Sequence, residues 1–563
     1  MTDVPPLSPA PGSVYWSAAR PEVERILSWQ DRESFSRTYG CFDRTYWCWK
    51  FTDFPGARFQ EGVYSLAHLF ATPLEKNALH QEPRVLGWIE AGLRFWQRLQ
   101  YRDGSFDEAY PFERSLAATA FTSFYVGEAF LRVRDVLSDH RRALGTFARA
   151  GDWLCKNDER HGLLSNHLAA AAAALYVIFR ITGENRFERR CWHFVERIYR
   201  HQSSEGWYEE YGGADPGYQT QCTFYLARLW RYTRNASLLD SLARSLSFLK
   251  HCIHPDGTLG GEYGSRNTEF FFPAGCEILA DAIPDSARIA SFMRARIPEG
   301  RMAGPWSMDT QNALPMLNNY LSATEHAGSL DRSDETSLPC ETLGEWWFPD
   351  AGLLIKSTPT FFAIVGMAKG GVVKVYDKAR SSLAVSDCGY VARLNGGTVA
   401  TTQNLRRRQV WTRSPGTCRV ETDFVPTRLH LPTTGRFFLL RGFSMTLGRG
   451  RRAAYWLKNR LVHYLMRPSP AIALRLTRQV ELGLHTVTIT DDIVAGDRLR
   501  LAECRRHAKF ATIHMGSSRY FQWQELDARL EPDRDLAETL TTHRRAHVVS
   551  TWSAPHRSRC LIG

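Results

Sequence analysis

The sequence lacks an apolar run long enough to cross a membrane, and it lacks a secretory leader. Its most apolar segment, Leu168 to Ile181, has 14 residues, whereas a membrane-spanning helix needs about 20. The first residues, MTDVPPLSPAPGSVYW, contain no basic stretch that leads into an apolar one, as a secretory signal requires. We therefore expect no membrane span and a cytoplasmic location.

Paired cysteines are also missing. The 12 cysteines form no Cys-x-x-Cys pair and do not show the dense spacing of secreted disulfide-rich domains. Most of them lie within apolar runs. We interpret them as reduced core residues, which agrees with a cytoplasmic location.

Motifs of nucleotide and acyl-transfer chemistry are absent. The chain has no Gly-x-x-x-x-Gly-Lys-Ser/Thr loop, no Gly-x-Gly-x-x-Gly after a predicted strand and no Gly-x-Ser-x-Gly elbow. It also has no zinc-finger spacing and no basic heptad region, so we predict no nucleic-acid partner. Lys and Arg outnumber Asp and Glu by 71 to 59, which favours an acidic polymer as partner. The densest basic clusters are Arg406 to Arg408 and Arg449 to Arg452.

The composition is that of a folded globular chain. Hydrophobic residues make up 44% and charged residues 23%, close to the average of globular proteins. The 563 residues allow two to four domains at about 100–200 residues each.

From about residue 14 to 327 the apolar spacing is helical. The clearest predicted helices are Pro83 to Tyr101, Ser115 to Val136, Asn166 to Thr182, Arg186 to His201 and Tyr218 to Tyr232.

A turn recurs between successive helix pairs of this part. It reads Asp103-Gly104, His161-Gly162, Glu205-Gly206 and Asp256-Gly257, at intervals of 58, 44 and 51 residues. Such intervals fit two antiparallel helices with their connections. Each turn is followed by a polar and aromatic stretch and then by an apolar helix. We therefore predict an (α/α) toroid or incomplete barrel over residues 1–327, with equivalent loops on one rim.

The pattern changes after a polar linker, which we place at residues 328–342. Short runs rich in Val, Ile, Leu, Phe and Thr then follow at strand-like intervals. Many strands without intervening long helices predict an antiparallel β-sandwich over residues 343–563. The predicted strands include Gly352 to Lys356, Phe361 to Met367, Ser382 to Val385, Phe437 to Phe443 and His485 to Asp491.

Motifs on the predicted rim resemble a known family. Ser165-Asn166-His167-Leu168 opens a small-residue helix, and Gly206-Trp207-Tyr208-Glu209 and Asp215-Pro216-Gly217-Tyr218-Gln219 follow 40 to 50 residues later. Beyond the linker come Phe348-Pro349-Asp350-Ala351-Gly352 and Ser386-Asp387-Cys388-Gly389-Tyr390. In their order and spacing, over about residues 60 to 400, these motifs resemble the heparinase II/III-like polysaccharide lyases.

The resemblance implies β-elimination at a uronic acid. Such enzymes break the glycosidic bond at C4 by removing the C5 proton, which leaves an unsaturated sugar. The C5 proton is weakly acidic, so donors must neutralise the uronate carboxylate where enolate charge develops. A base near C5 and an acid near the leaving oxygen are also needed. By position, Asn166 matches the neutralising Asn, His167 the adjacent His that neutralises or acts as a base, and Tyr218 the catalytic Tyr.

Each of these three residues has a structural alternative. Asn166 directly precedes an apolar helical run, where Asn is a preferred N-cap. His167 could be a first-turn histidine that is hydrogen-bonded inside the toroid. Tyr218 could be an aromatic side chain that packs at a helix start.

One part of the family pattern is missing. The His-x-His-x-Asp segment of an early β-domain strand corresponds here to Gly371-Val372-Val373-Lys374-Val375-Tyr376-Asp377, without histidine. Because the imidazole ligands of a zinc ion are gone, we predict no metal and no other cofactor. Lys374 or Tyr376 could replace the histidine, or Tyr218 could both take and return the proton. Loss of lyase activity is a third possibility.

Further residues are candidates for substrate binding. The segment Phe42 to Phe54 is rich in aromatic side chains, on which the apolar face of a sugar ring stacks. It is either a cleft floor, with Arg44, Trp47 and Trp49 touching substrate, or a wedge that plugs the toroid. Candidates on the rim, which could instead be solvated loop residues, are Glu209, Glu210, Tyr211, Arg266, Asn267 and Glu269.

Other functions stay open at this point. Helical toroids also host glycoside hydrolases, whose two carboxyl groups lie about 5–5.5 Å or about 6.5–9.5 Å apart. Asp107 or Glu108, with Glu209 or Glu210, could supply such a pair. A uronate C5-epimerase would begin with the same proton abstraction, and a non-catalytic polysaccharide-binding protein would need no β-domain histidine.

Overall fold

The structure is a computed structural model, and it describes most of the chain. The described residues are 12–138, 140–159, 162, 164–328, 333–405, 410–427, 433–466, 470–509, 520–527, 536–554 and 559–562. His161 of the second predicted turn and the basic cluster Arg406 to Arg408 lie outside them.

Helices fill the first part of the chain. They are α1 (Ser13–Trp29), α2 (Arg44–Trp47), α3 (Gly62–Ala71), α4 (Pro83–Leu99), α5 (Leu116–Val133), α6 (Arg141–Lys156), α7 (Ser165–Thr182), α8 (Asn185–His201), α9 (Pro216–Thr233), α10 (Ala236–Leu249), α11 (Pro273–Leu279), α12 (Pro284–Arg296) and α13 (Thr310–His326). The five helices predicted from apolar spacing correspond to α4, α5, α7, α8 and α9, with ends that differ by up to three residues.

The helices form a closed toroid. The inner ring consists of α3, α5, α7, α9, α11 and α13, each of which contacts the next, and α13 contacts α3. Outside it, α1, α4, α6, α8, α10 and α12 each pack on an inner helix. Residues 168–175 of the inner helix α7 are all buried, whereas the outer helix α8 buries one stripe, as a helix between core and solvent does. The ring is therefore complete rather than an incomplete barrel.

The recurring Gly turns set the loops of the toroid. Gly104, Gly206 and Gly257 have φ angles of 96°, 103° and 78°, and each N–H donates to the carbonyl oxygen three residues earlier. A Cβ on Gly104 would lie 2.0 Å from the carbonyl oxygen of Arg149, and one on Gly206 would lie 2.2 Å from that of Arg244. These positions need glycine because of both the positive φ and the close approach. The loops that follow lead into the N-termini of α5, α9 and α11.

The second part of the chain is mainly antiparallel β-structure. Its strands are β1 (Gly344–Phe348), β2 (Leu353–Ser357), β3 (Phe361–Gly366), β4 (Val372–Asp377), β5 (Ser382–Asp387), β6 (Tyr390–Leu394), β7 (Val399–Thr401), β8 (Val410–Ser414), β9 (Thr417–Asp423), β10 (Val425–Pro426), β11 (Leu474–Leu482), β12 (Thr486–Ala495), β13 (Leu501–Arg506), β14 (Arg545–Ser553) and β15 (Arg559–Ile562). The predicted linker lies between the end of α13 and the start of β1.

The strands form three sheets and a sandwich. The orders are β1-β2-β3-β4-β5, β10-β7-β6-β13 and β15-β14-β12-β11-β9-β8. Alternate residues of the first sheet point to opposite faces: Leu353 and Ile355 join the core of the toroid. Leu354 and Val365 pack with Val480 of the third sheet. The first sheet is thus covered on one face by helices and on the other by a second sheet.

One strand prediction is wrong. Residues 437–443 lie within a helix, α14 (Thr434–Met445), which α15 (Arg451–Met466) follows; the two form a helical hairpin between β10 and β11. A short apolar run has no clear period, so it does not distinguish a strand from a helix. Two further helices are α16 (Gln524–Asp527) and α17 (Leu536–His543). Within the described parts of the chain, no helix has the length and apolar character to span a membrane.

Candidate active site

A cavity of about 530 Å³ lies at the end of the toroid where inner helices begin. First-turn residues of four of these helices line it: Ala117 of α5, Asn166 of α7, Tyr218 of α9 and Gln311 of α13. A helix N-terminus carries a partial positive charge, so their convergence favours an anionic group. The other lining residues are Arg58, Glu108, Ala109, Phe121, His167, Tyr211, Gln221, Phe270, Phe272, Met308, Asp309, Asn312, Pro315 and Met316.

The structure brings Asn166, His167 and Tyr218 to this one cavity. They come from two inner helices, α7 and α9, which contact each other in the ring. Adjacent inner helices begin on the same rim because each is followed by an antiparallel outer helix. Their shared position is thus a consequence of the helical hairpin repeat.

Asn166 is the second residue of α7 and does not cap it. The N-cap position is Leu164, and no side chain caps this helix. The Asn166 Nδ2 group instead donates to Oε1 of Glu210 at 2.6 Å, and its backbone N–H donates to Oε2 at 3.3 Å. An amide nitrogen carries two hydrogens, so a second N–H remains for a ligand.

Glu210 holds the Asn166 amide in place. It is 2% exposed, and burial raises the pKa of its carboxyl well above the usual range, against the hydrogen bonds from Asn166. Its backbone N–H donates to the carbonyl oxygen of Gly213 at 2.9 Å. Glu210 does not line the cavity, so it acts here through Asn166.

His167 lines the cavity and pairs with a carboxylate through one ring nitrogen. Its Nδ1 lies 3.1 Å from Oε2 of Glu159, and its ring meets Phe121 edge-on with centroids 5.5 Å apart. A carboxylate accepts a hydrogen bond from Nδ1–H, which leaves the lone pair of a neutral imidazole on Nε2. Nε2 is therefore the nitrogen that could take a proton from a ligand.

Tyr218 is fixed at the start of α9 by the residues before it. Pro216 occupies the first turn, and Asp215 caps the helix by accepting from the Tyr218 N–H at 3.2 Å. The half-buried Tyr218 ring stands edge-on against Phe270, with centroids 5.4 Å apart. The local sequence Asp-Pro-Gly-Tyr thus builds a capped helix start that directs the phenol to the rim.

Tyr211, which was predicted to be a rim residue, also lines the cavity. Its φ is 54°, and the Arg266 guanidinium lies 3.4 Å from the centroid of its ring. Burial raises the pKa of the Tyr211 hydroxyl although Arg266 opposes this. Arg266 itself is buried behind the ring.

The sequence analysis missed Arg58, the cation of this cavity. Its Nε donates to Oε1 of Glu61 at 2.8 Å, one terminal nitrogen lies 3.4 Å from Oε1 of Glu108, and its guanidinium lies 4.6 Å from the Phe121 ring centroid. Burial works against the charge, but Glu61 and Glu108 raise the pKa of Arg58 above its usual value. Arg58 therefore stays positively charged.

The sequence analysis also missed Asp309 and Asn312 at the start of α13. The four turns used for the prediction include none directly before α3 or α13. The Glu299-Gly300 turn before α13 was not recognised, although its φ is 65° and its N–H donates to the carbonyl oxygen of Ile297 at 3.0 Å. The signal that could have found Arg58, Asp309 and Asn312 is the general rule that residues just before or at the start of every inner helix lie on this rim.

The predicted aromatic cleft floor lies elsewhere. Arg44 donates to the carbonyl oxygen of Ser28 at 2.5 Å, and Trp47 Nε1 donates to that of Trp29 at 2.7 Å. Both partners belong to the end of α1, an outer helix. Trp49 is 60% exposed. None of the three predicted residues Arg44, Trp47 and Trp49 lines the cavity.

Lys374 and Tyr376 do not replace the missing histidines at the cavity, and this hypothesis needs correction. Lys374 is 2% exposed, and its Nζ lies 2.6 Å from Glu262. The Tyr376 hydroxyl lies 2.9 Å from Nδ1 of His254, and the two rings stack with centroids 4.4 Å apart. Both side chains project from β4 toward the toroid and are closed in by it.

The remaining rim candidates also lie outside the cavity lining. Glu269 is 3% exposed and accepts from Lys509 Nζ at 2.9 Å. Asn267 is buried with a φ of 60°. Glu209 lies 3.6 Å from Nδ1 of His201. Glu269 and Glu209 thus pair with other residues, and none of the three side chains lines the cavity.

No carboxylate pair predicted for a hydrolase has both of its members in the cavity lining. Asp107 is 6% exposed and accepts from the backbone N–H groups of Phe112 at 2.6 Å and Arg114 at 2.8 Å. Of the four acids proposed, Glu108 lines the cavity, where the other lining carboxylate, Asp309, caps α13. Among the described residues, no group of three or more His, Cys, Asp or Glu side chains is arranged to hold a metal ion.

Comparisons with known proteins bear on the fold. No family model and no curated protein matches the chain. It is similar to the solved structure of chondroitin AC lyase from Streptomyces coelicolor A3 in complex with chondroitin sulphate, with 11% identity over 89% of this chain and 69% of that chain and a TM-score of 0.55. At this identity the likeness supports the fold alone, an α/α toroid followed by antiparallel sheets.

Two further structures are less similar. An unsaturated glucuronyl hydrolase mutant from Streptococcus agalactiae has 9% identity, coverage of 56% of this chain and 89% of that chain, and a TM-score of 0.37. A GH127 β-L-arabinofuranosidase from Geobacillus stearothermophilus T6 has 11% identity, coverage of 92% and 96%, and a TM-score of 0.38. These scores are too low to support an argument.

Proposed function

We propose that the protein is a polysaccharide lyase that cleaves a uronic-acid-containing polysaccharide or oligosaccharide by β-elimination, as in the heparinase II/III-like enzymes it resembles. The observation that carries the proposal is the shared cavity of Asn166, His167 and Tyr218 at the N-terminal rim of the toroid. The similar fold of a chondroitin AC lyase is consistent with it.

The cavity offers several groups that would neutralise a uronate carboxylate. Helix N-termini converge there, the Arg58 guanidinium lines the cavity while it pairs with Glu61 and Glu108, and Asn166 has a second N–H. Donors fixed where negative charge develops stabilise the enolate-like transition state without having to reorganise. Glu210 keeps the Asn166 amide in position for this role.

Proton transfer would fall to His167 and Tyr218. Nε2 of His167 or the deprotonated phenol of Tyr218 takes the C5 proton, and the electron pair of that C–H bond forms the C4–C5 double bond. The C4–O bond breaks at the same time, and the leaving oxygen receives a proton from the Tyr218 hydroxyl. If Tyr218 does both, it takes the C5 proton and passes it on, as a same-face elimination allows.

The test is to incubate the protein with uronate-containing polysaccharides and follow ultraviolet absorbance of the unsaturated uronate. We expect absorbance to rise with the wild type and not with Tyr218→Phe. New reducing ends without absorbance would instead indicate a hydrolase, and a changed C5 configuration without cleavage an epimerase. Binding to a substrate without a reaction with any of the substrates tested would indicate a non-catalytic polysaccharide-binding protein.

A further inference from the structure

The hairpin α14–α15 carries an unusual surface. No Asp or Glu occurs in the 57 residues from Phe424 to Val480, which contain 11 Lys and Arg. Within the described residues 433–466, large apolar side chains are exposed to solvent, Phe438 by 75%, Leu439 by 70% and Leu447 by 67%. The others are Phe437, Met445, Tyr455 and Trp456. We call these seven side chains, with the exposed basic residues of α14 and α15 such as Arg436 and Arg460, the hairpin surface.

The hairpin surface continues onto the toroid. Arg441 pairs with Asp53 at 3.1 Å, and its guanidinium lies 5.1 Å from the Phe54 ring centroid. Beside this contact, Trp49 and Phe51 are 60% and 78% exposed, with stacked rings 5.7 Å apart. The Arg441 guanidinium also lies 4.9 Å from the Phe437 ring centroid, so it links the hairpin to the segment that carries these two exposed side chains.

The hairpin is also held on its inner side. Lys458 pairs with Glu113 at 3.3 Å, Arg451 donates to Asn157 at 2.6 Å, and Arg114 donates to the Arg449 carbonyl oxygen at 2.7 Å. These contacts hold the hairpin against the toroid.

We propose that the hairpin surface docks on an anionic lipid membrane. Phe438 and Met445 are two helical turns apart, so they project from the same side of α14. Helices that lie in the plane of a membrane interface combine Phe, Leu and Trp with Arg and Lys, and α14 and α15 combine these residue types without acidic residues. With 12 and 16 residues, α14 and α15 lie on the membrane and do not cross it. This inference is independent of the lyase proposal.

Charge and apolarity together favour lipid over a soluble polyanion. Arg and Lys near the surface would attract acidic headgroups. A soluble polysaccharide or nucleic acid would use the same charges but would leave side chains such as Phe438 and Leu447 in water. Transfer of these side chains from water into the interface is favourable, and it is what separates the two kinds of partner.

The experiment is sedimentation of the full chain with vesicles of phosphatidylcholine alone or mixed equally with phosphatidylglycerol. We expect binding to the mixed vesicles and at least about tenfold weaker binding of the double variant Phe438→Ser/Leu439→Ser. The control, Leu343→Ser/Leu484→Ser, changes two leucines that are 65% and 60% exposed elsewhere, and should bind like the wild type. Circular dichroism checks that each variant is folded.

A second pair of variants tests the charge. Arg436→Gln/Arg460→Gln should weaken binding to the mixed vesicles about tenfold or more, whereas Arg84→Gln/Arg380→Gln, at side chains 81% and 71% exposed, should not. Absence of vesicle binding, or equal binding by wild type and Phe438→Ser/Leu439→Ser, would overturn the proposal. So would binding of soluble polygalacturonate that depends on Arg436 and Arg460 alone, with no binding to vesicles.

Discussion

The two ends of the inner helical ring are both rich in polar side chains, and the cavity with the predicted site residues lies at one of them. At the N-terminal end, which we call the open end, Asn166, Tyr218 and Arg58 border a cavity of about 530 Å³. At the C-terminal end, which we call the closed end, described side chains of α5, α9 and α13 pair with one another. Arg228 bonds Glu128 there, and Arg132 bonds Glu325.

The difference follows from the direction of the helices. Cations near helix C-termini complement the negative end of the helix dipole, and carboxylates within the ring then complete the pairs. Arg228 also bonds Tyr232, whose hydroxyl donates to Glu128 at 2.7 Å. The comparison teaches that a dense set of titratable groups does not by itself mark a site; unfilled space beside such groups does.

The largest expected effect comes from removal of one hydroxyl at the cavity. Tyr218→Phe should lower kcat by about 10²–10⁴-fold, the usual contribution of a general acid or base, because the phenol is the proposed proton carrier. The measurement is the rate of unsaturated uronate formation with saturating substrate.

The same substitution at the closed end serves as the matched control. Tyr232→Phe should leave kcat unchanged and lower the free energy of unfolding by about 1–3 kcal/mol, since it leaves a buried carboxylate oxygen of Glu128 without its donor. Full activity of Tyr218→Phe, or equal loss of activity in both variants, would contradict the assignment of chemistry to the open end.

Removal of a cation at the closed end should instead affect stability. Arg228→Met leaves the 4% exposed Glu128 without its guanidinium partner and should cost about 3–5 kcal/mol of unfolding free energy, measured by urea titration. The exposed neighbour Arg231 gives the control, because Arg231→Met should cost about 1 kcal/mol or less. If both variants were equally stable, the closed end would not be held by this pair.

Much of this arrangement could be predicted from the sequence. The Gly turns place helix starts on one rim, so residues at the starts of α7 and α9 were expected together, and Asn166, His167 and Tyr218 do share the cavity. Arg58 was missed because none of the four turns used for the prediction lies before α3. The roles of these residues in catalysis stay predictions.

Other features could not be predicted, for two physical reasons. Alternation along β4 shows that Lys374 and Tyr376 share a face, but it does not show which layer covers that face, and here the toroid covers it. Residues 437–443 were assigned to a strand because four adjacent apolar residues fit either period. In both cases the deciding contact is with a distant segment, which local pattern does not contain.

A smaller effect is expected at the amide of the open end. Asn166→Ala should raise the activation barrier by about 2.7–4 kcal/mol, by analogy with the loss of one oxyanion-hole donor. The readout is kcat/KM at matched concentrations of folded protein, because the change also removes a partner of buried Glu210. If stability fell but the rate of the folded fraction did not change, Asn166 would have a structural role only.

The smallest effect is the acid sensitivity of the closed end. Burial opposes the charge of Glu325, but the hydrogen bonds from Arg132, the nearby His68 and the adjacent His326 lower its pKa from 4.5 to about 2. A lowered carboxyl pKa stabilises the fold above the unfolded value, and this stability is lost as the pH falls through the folded one.

Between pH 6 and pH 3 the loss from Glu325 should amount to about 2 kcal/mol, since each pKa unit corresponds to about 1.36 kcal/mol. Burial also lowers the pKa of His68 to about 3, which adds to the acid loss in the same direction. Glu325→Gln should therefore show a shallower fall of unfolding free energy over this range than the wild type, whereas Glu75→Gln, at a side chain 78% exposed, should not. Parallel curves for wild type and Glu325→Gln would mean that the pair with Arg132 does not hold the closed end together.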